Sequence, residues 1–439
     1  MKTPEEFLED NGFRVDAIDR TALLTSFRQE MQEGLAGRPS SLKMLPSYVS
    51  PEGDLRRDVP VTVLDAGGTN LRGATVEFPS GGSGAVISNR EKGEMPGATE
   101  YVDPDGFYEA FAAHVRRTAP FAKDPSIGFC FSYACETSPE GDGKLLYWTK
   151  QIQAPEIIGQ WVGAELARRL DPRPPKILVL NDTVTTLLAG KATEKPGVRH
   201  SAYIGFILGT GTNVAYVERN ANIGKISIAD RDGSMVINTE SGGFSKITQS
   251  AFDRAMDAKT HDAGAQMFEK MIAGAYLGRV GLEIFKAAAR NSFFSPEAAR
   301  GILSLGSLAS YDLDNFCANH KTEQPNPLDR IFATDVDRSV ARRLATPVFE
   351  RAAILTAVHL AAFILQTGGG TDPNAPVCVC IDGSTYYKTR TVSFPKIVQD
   401  ELDAMLKPRN IFFELAVCPD DAPLVGAAVA VLLQREDRG

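Results

Sequence analysis

The chain has 439 residues, 43% of them hydrophobic and 23% charged, enough for two or three domains with real hydrophobic cores. Its net charge of -8 argues against a nucleic-acid binder, which would need a basic face to neutralise phosphates. None of the six cysteines lies in a Cys-x-x-Cys pair, and the five histidines show no metal-ligand spacing, so neither a disulfide framework nor a zinc site is expected.

The opening MKTPEEFLEDNG is acidic and polar, unlike a signal or transit peptide. The first fifty residues read as helical, with Phe27, Met31 and Leu35 on one face, and the run stops at Gly37-Arg38-Pro39. From Val61 the pattern turns to strands, over 61–65 and 71–78, joined by Ala66-Gly67-Gly68-Thr69-Asn70. A glycine turn at 81–84 leads to a strand at 85–88, then a helix over 105–117 and a strand over 127–132. The apolar strand 176–180 runs straight into Asn181-Asp182-Thr183 and a helix. A second glycine-turn hairpin follows, with strands 203–208 and 214–218 around Gly209-Thr210-Gly211-Thr212-Asn213.

Beyond residue 245 the pattern is mostly helical. The apolar stretch 352–365 reads as a buried helix, shorter than the ~18 residues of a membrane span. A strand over 377–381 puts Cys378 and Cys380 on one face, and a helix over 424–434 closes the chain. We therefore expect a soluble, cytoplasmic protein with no nucleic-acid or membrane partner, working as a monomer or homodimer. The two hairpins echo each other, with Thr69-Asn70 in one turn and Thr212-Asn213 in the other. In a large α/β protein such an echo suggests two similar halves facing each other across a cleft.

Several segments carry residues suited to chemistry, each with a plainer reading beside it. In Asp65–Arg72 the turn glycines Gly67 and Gly68 let backbone N–H groups cradle an anion. Thr69 and Asn70 add donors, Arg72 suits a phosphate, and Asp65 is placed to hold Mg²⁺ indirectly. Taken alone, that segment and Gly209–Asn213 each read more readily as a simple β-hairpin, but two such hairpins in one chain favour the phosphate reading. Neither is a P-loop, and no Gly-x-Gly-x-x-Gly marks a dinucleotide site. Asp182 is either a helix cap or a general base at a strand end. Lys150 is either an exposed lysine or a group that stabilises a transferring phosphoryl. Ser132 and Thr149 sit in polar clusters within apolar surroundings. Glu240, Gln266 and Glu269 complete the candidates, the last two spaced to share a helix face.

Read together, these segments resemble the hexokinase family of the actin-like ATPase and sugar-kinase superfamily. The matching stretches are SSLKMLPSYV, LDAGGTNLRGATVE (64–77), GFCFSYACETS (128–138), LYWTK (146–150) and LNDTVTTLLAG (180–190). They continue as ILGTGTNVAYVE (207–218), INTESGGF (237–244), QMFEKMIAGAYLG (266–278) and DGSTYYKT (382–389), in family order over most of the chain. The resemblance implies ATP-dependent phosphorylation of the 6-hydroxyl of glucose, with mannose and fructose as further hexoses, and ATP and Mg²⁺ as cofactors. Asp182 resembles the catalytic base. Ser132, Thr149, Lys150, Asn181, Asn213, Glu240, Gln266 and Glu269 resemble the sugar-binding set, with Lys150 also beside the phosphoryl group. The turns holding Asp65, Gly67, Gly68, Thr69, Asn70 and Arg72, and Gly209, Thr210, Gly211 and Thr212, resemble the two phosphate loops. Gly383 and Ser384 resemble adenosine-site residues.

The implied fold is α/β and two-lobed, of the ribonuclease-H-like kind, each lobe built on a five-stranded mixed sheet flanked by helices. The small lobe is expected at 59–182 plus the final helix 426–439, and the large lobe at 1–58 and 183–425. The sequence departs from the family at Ala134, where a proline is usual, at Gln151, where a glycine is, and at Ser241, where an aromatic is common. A family glycine–serine–glycine–lysine stretch is replaced by Asp-Asp-Ala-Pro-Leu-Val-Gly at 420–426, which bears on nucleotide preference.

Overall fold

Two mixed sheets stand at the centre of the molecule, a computed structural model that describes residues 2–82, 84–148, 152–192 and 199–433. The first sheet runs Val86–Glu94, Asn70–Glu77, Val61–Ala66, Asp124–Phe131, Ile177–Leu180. Its first three strands form an antiparallel meander and its last three run parallel. The second sheet runs Leu45–Pro46, Ser234–Asn238, Thr212–Arg219, Ala202–Leu208, Val377–Asp382, Phe413–Val417. Apart from the two-residue strand at its edge, it repeats the same order and directions, meander first and parallel pairs after. The echo between the two hairpins is thus the trace of two sheets of one topology. The expected two-lobed α/β architecture holds, with a sixth short strand added to the second sheet.

Helices Asp182–Ala192 and Ala422–Leu432 lie between the sheets and pack on each other. That approach needs a residue without a side chain, because a Cβ on Gly426 would sit 1.9 Å from the Thr185 carbonyl oxygen. The same holds where Asp182–Ala192 meets the second sheet, since a Cβ on Gly205 would lie 2.5 Å from the Thr183 oxygen. One core joins the two sheets through these helices and includes Val63, Leu180, Leu187, Ala215, Leu424 and Val429. A second core fills the outer face of the first sheet around Phe107, Phe111 and Phe129. A third, larger core gathers the helices of the second half around Phe27, Phe268, Ile284 and Leu360.

The predicted first helical run divides into Pro4–Asp10, opened by a Thr3–Glu6 capping box, and Arg20–Leu35, capped by Asp19. Residues 37–50 are not helical but run through turns and bends around the short strand Leu45–Pro46. The apolar stretch 352–365 belongs to a 33-residue helix, Asp335–Thr367, which begins at the Thr334 cap and ends at Gly368 with φ 68°. By length and composition this helix could cross a membrane, contrary to the expectation from the apolar stretch alone, yet 89% of its most apolar window is buried in the protein. It is the core helix of the larger cluster. Buried Arg351 on this helix holds buried Asp253 by two bonds of 2.7 Å. None of the six cysteines forms a disulfide.

Candidate active site

Strand Ile177–Leu180 ends at Asn181, and the Asn181 side chain takes over the capping of the next helix: its Oδ1 accepts the Thr183 N–H at 2.9 Å. Asp182 is therefore the first helical residue, and its carboxylate accepts only the Thr183 hydroxyl, at 3.3 Å, among the bonds formed by described residues. The Thr185 and Thr186 hydroxyls donate to its carbonyl at 2.7 and 2.9 Å, fixing the backbone under it. The carboxylate lines a cavity of about 350 Å³ shared with Ser132, Asn181, Thr210, Gly211, Thr212, Asn213, Glu240 and Glu269. Tyr133, Ala134, Thr183, Ile207, Ala275 and Tyr276 complete the wall.

A chain of amides orders one side of this cavity. Asn213 Nδ2 donates to Asn238 Oδ1 at 2.7 Å and to Asn181 Oδ1 at 3.4 Å, while Asn238 Nδ2 donates to Glu240 Oε1 at 2.9 Å. Asn213 Oδ1 accepts the Val214 and Ser241 N–H groups at 2.8 and 3.2 Å, which fixes its amide the right way round. Asn238 went unremarked in the sequence. The available signal was a polar residue ending the apolar strand Ser234–Asn238, as Asn181 follows Ile177–Leu180.

Glu240 and Gln266 both sit in left-handed backbone, φ 52° and 49°, a conformation non-glycine residues hold only where surroundings compensate the strain. Gln266 does not share a helix with Glu269, as their spacing had suggested, because the helix is only Glu269–Ile272 and Gln266 lies in the turn before it. The two still meet the same loop: a Cβ on Gly242 would lie 3.0 Å from Gln266 Oε1 and 3.1 Å from Glu269 Cβ. Glu269 Oε2 accepts the Thr212 N–H at 2.9 Å. Burial pushes the Glu269 carboxyl up to about 7, against the pull of that N–H, and the nearby Glu240 adds to the rise. Burial raises Glu240 as well, opposed by its bond from Asn238.

The first glycine turn is braced from both sides. The Gly67 N–H donates to the Asn70 carbonyl at 3.0 Å, and the Tyr133 hydroxyl, another residue the sequence reading passed over, donates to the Gly67 carbonyl at 2.8 Å. Gly68, Thr69 and Asn70 follow as an open turn, with Asn70 Nδ2 donating to Thr69 Oγ1 at 3.0 Å. The Ser132 N–H bonds the Ala66 carbonyl at 3.1 Å, which ties Ser132 to the first hairpin. Arg72 donates to Asp65 Oδ2 through Nε at 2.8 Å and Nη2 at 2.6 Å. Burial raises Asp65 while the Arg72 guanidinium opposes that rise.

In the second turn the Gly209 carbonyl accepts the Thr385 hydroxyl and the Gly274 N–H, both at 2.8 Å. Thr210 and Ala275 line the first cavity and also a second one of about 290 Å³, with Ser384, Asp314, Lys388 and Arg390 on its wall. Gly383 has φ 122°, and a Cβ there would lie 2.2 Å from the Leu208 carbonyl oxygen, so the bend before Ser384 presses against the end of the second hairpin's first strand. Thr149, Lys150 and Gln151 lie outside the described residues. Of the other departures, Ala134 lines the first cavity, and Ser241 is buried with its hydroxyl unpaired.

Two family models, each described as hexokinase, match residues 7–192 and 203–433. The chain belongs to the hexokinase family. It is a phosphotransferase with an alcohol group as acceptor. This hexokinase is 28% identical to the hexokinase of Schistosoma mansoni, over 97% of its own length and 96% of the relative's. It is 34% identical to hexokinase-2 of Solanum tuberosum over 57% of its length and 53% of the relative's. With the glucokinase of Aspergillus niger the identity is 26% over 94% of each chain. Among solved structures, Schistosoma mansoni hexokinase complexed with glucose superposes with a TM-score of 0.78 at 26% identity, covering 97% of this hexokinase and 98% of that chain. A glucokinase from an Antarctic psychrotroph, at 15% identity and a TM-score of 0.51, covers 86% of this chain and 99% of its own and shares the fold.

Proposed function

We propose that this hexokinase transfers the γ-phosphoryl group of ATP to the 6-hydroxyl of glucose, with Asp182 accepting the hydroxyl proton. The observation that carries this reading is that Asn181 takes the helix cap and leaves the Asp182 carboxylate facing a cavity rich in hydrogen-bonding groups. Asn181, Asn213, Glu240, Gln266, Glu269 and Ser132 bind the sugar, since each hydroxyl left unmatched would strand a buried polar group. Thr149 and Lys150 join them, with Lys150 beside the transferring phosphoryl. The hairpin turns at 65–72 and 209–212 cradle the phosphates, and Gly383 and Ser384 take the adenosine in the second cavity.

Phosphoryl transfer asks the protein mainly for alignment and charge stabilisation, and this is what the arrangement offers. Both Arg72 bonds fall on Asp65 Oδ2, which leaves Oδ1 free of that guanidinium. One carboxylate beside phosphate oxygens and water suits Mg²⁺, so Asp65 would hold the ion, directly or through water. When bound, Mg²⁺ supplies charge neutralisation at the phosphates. Mannose and fructose present hydroxyls to the same carboxylates and amides and are accepted as further hexoses.

The proposed small lobe is 59–182 with the chain from 426, and the proposed large lobe 1–58 and 183–425, a boundary that falls inside helix Ala422–Leu432; residues 434–439 lie outside the described part. Closure of the lobes over sugar would exclude water from the phosphoryl group. The protein is proposed to act in the cytoplasm as a monomer or homodimer, without nucleic-acid or membrane partners. The test is a coupled assay of glucose phosphorylation with MgATP on wild type and Asp182→Ala. Turnover by wild type with a ~10²–10⁴-fold loss in the variant supports the base; equal rates in the two would remove it.

A further inference from the structure

The segment 420–426, which departs from the family sequence, reaches the phosphate hairpin through one side chain. Asp421 Oδ1 accepts Arg72 Nη1 at 2.7 Å, and its Oδ2 accepts Arg90 Nη1 at 2.6 Å. A continuous line of charge therefore runs Asp65–Arg72–Asp421–Arg90, across three strands of the first sheet and onto the start of helix Ala422–Leu432.

Asp421 occupies the position from which an aspartate ordinarily caps a helix, and it does not do so. Its side chain makes no cap bond, and its backbone is left-handed at φ 56°. Only its carbonyl serves the helix, accepting the Leu424 and Val425 N–H groups at 2.9 and 3.0 Å. The residue thus forgoes a cap and accepts backbone strain, and its carboxylate, 18% exposed, is spent wholly on two guanidiniums. Arg72 is the only cation between Asp65 and Glu77 on the phosphate hairpin. Held by Asp65 alone, its guanidinium could pivot about that one oxygen; with Asp421 on the opposite nitrogen its plane is fixed.

We propose that Asp421 is a donor-side positioning residue, which acts through Arg72 to hold that guanidinium in place for the phosphates of ATP. The inference rests on the reading that the 65–72 turn binds the phosphates, so its test must separate the two. Asp421→Asn keeps the shape and removes the charge, Asp421→Glu keeps the charge on a longer stem, and Arg72→Ala removes the group acted upon. Steady-state constants for ATP and glucose are measured on these variants and on the double variant Asp421→Asn/Arg72→Ala.

The expected result is a rise in KM for ATP of about 10-fold in Asp421→Asn with KM for glucose within about twofold, partly restored in Asp421→Glu. In the Arg72→Ala background Asp421→Asn should then have no further effect, because the two act as one unit. Additive effects in the double variant, or equal changes for ATP and glucose, overturn the positioning role and leave Asp421 a structural ion pair. If Arg72→Ala itself leaves KM for ATP unchanged, the phosphate reading of the hairpin fails and the inference goes with it. Melting temperature with glucose present, held within a few degrees across the set, shows that the kinetics report folded enzyme.

Discussion

With Asn181 already holding the Thr183 N–H, the Asp182 carboxylate is spared, and the neighbouring amides divide the remaining work. Asn238 touches both Asn213 and Glu240, so Asn238→Ala takes the shorter-range acceptor from one half-buried side chain and the amide donor from the other. KM for glucose should rise by roughly 5–150-fold, the equivalent of about 1–3 kcal/mol for such a loss, while KM for ATP changes little; an unchanged glucose KM would refute the bridging role. Glu269 gives a pH signature. Its folded value of about 7 stands above the ordinary 4.5, so its contribution to the stability of the sugar-free enzyme is fully present below about 4.5 and lost as the pH rises through about 7. Relative to Glu269→Gln, the wild type should therefore melt higher at pH 5 than at pH 8. Glucose hydroxyls donating to the ionised carboxylate would also release protons on binding near pH 6.5, measurable by calorimetry in buffers of different ionisation enthalpy. Asp182, Glu240 and Glu269, which line one cavity, were singled out in the sequence through the family resemblance. Asn238, Tyr133 and Asp421 were not, because each matters for what it holds, and a holder has no pattern until its partner is in place.

The elements that carry the site were read best where they were buried. Both hairpin strand pairs, the strand before Asn181 and the helix after it were visible, since continuous apolar runs bounded by glycine leave few alternatives. Short or partly exposed strands escaped: Phe413–Val417 lies at a sheet edge with no fully buried residue, and Ala134–Thr137 pairs with Gly143–Tyr147 as a small separate hairpin. The contact between the two central helices is the element-level feature most open to test. Gly426→Ala would drive a methyl into the Thr185 carbonyl, three residues after Asp182, with backbone on both sides and no flexible side chain to yield. We expect a loss of about 1–3 kcal/mol in stability from overpacking, and a larger loss in kcat than for alanine at an exposed site on a helix elsewhere in the protein. Chemical denaturation and a kcat measurement on one preparation check both.

The repeated sheet order makes the molecule two related halves with a shared middle, and its larger half is pinned independently of the site. Arg351 and Asp253 are 5% and 1% exposed at their side chains, paired by two bonds, in the core where the long helix meets helix Ala251–Asp257. Arg351→Met should destabilise the protein by about 3–5 kcal/mol because it leaves the buried Asp253 charge unpaired. Provided the assay is run well below the lowered melting point, KM for glucose and for ATP should both hold. A change in either would mean that this core reaches the site. Scattering measurements bear on the lobes themselves: the radius of gyration should fall when glucose is added, in Asp182→Ala as much as in wild type, since closure depends on binding rather than turnover.

Thr210 and Ala275 face both cavities, so the partition between them is a single layer of residues. Two ligands that meet across so thin a wall can be joined by a tether only a few atoms long. A bisubstrate inhibitor, a hexose carried on a nucleoside through a short phosphate-like bridge, would then fill both chambers while losing its translational freedom once. Lengthening the bridge should weaken it, and the bridge length that binds tightest would serve as a ruler for the separation at which the phosphoryl group crosses.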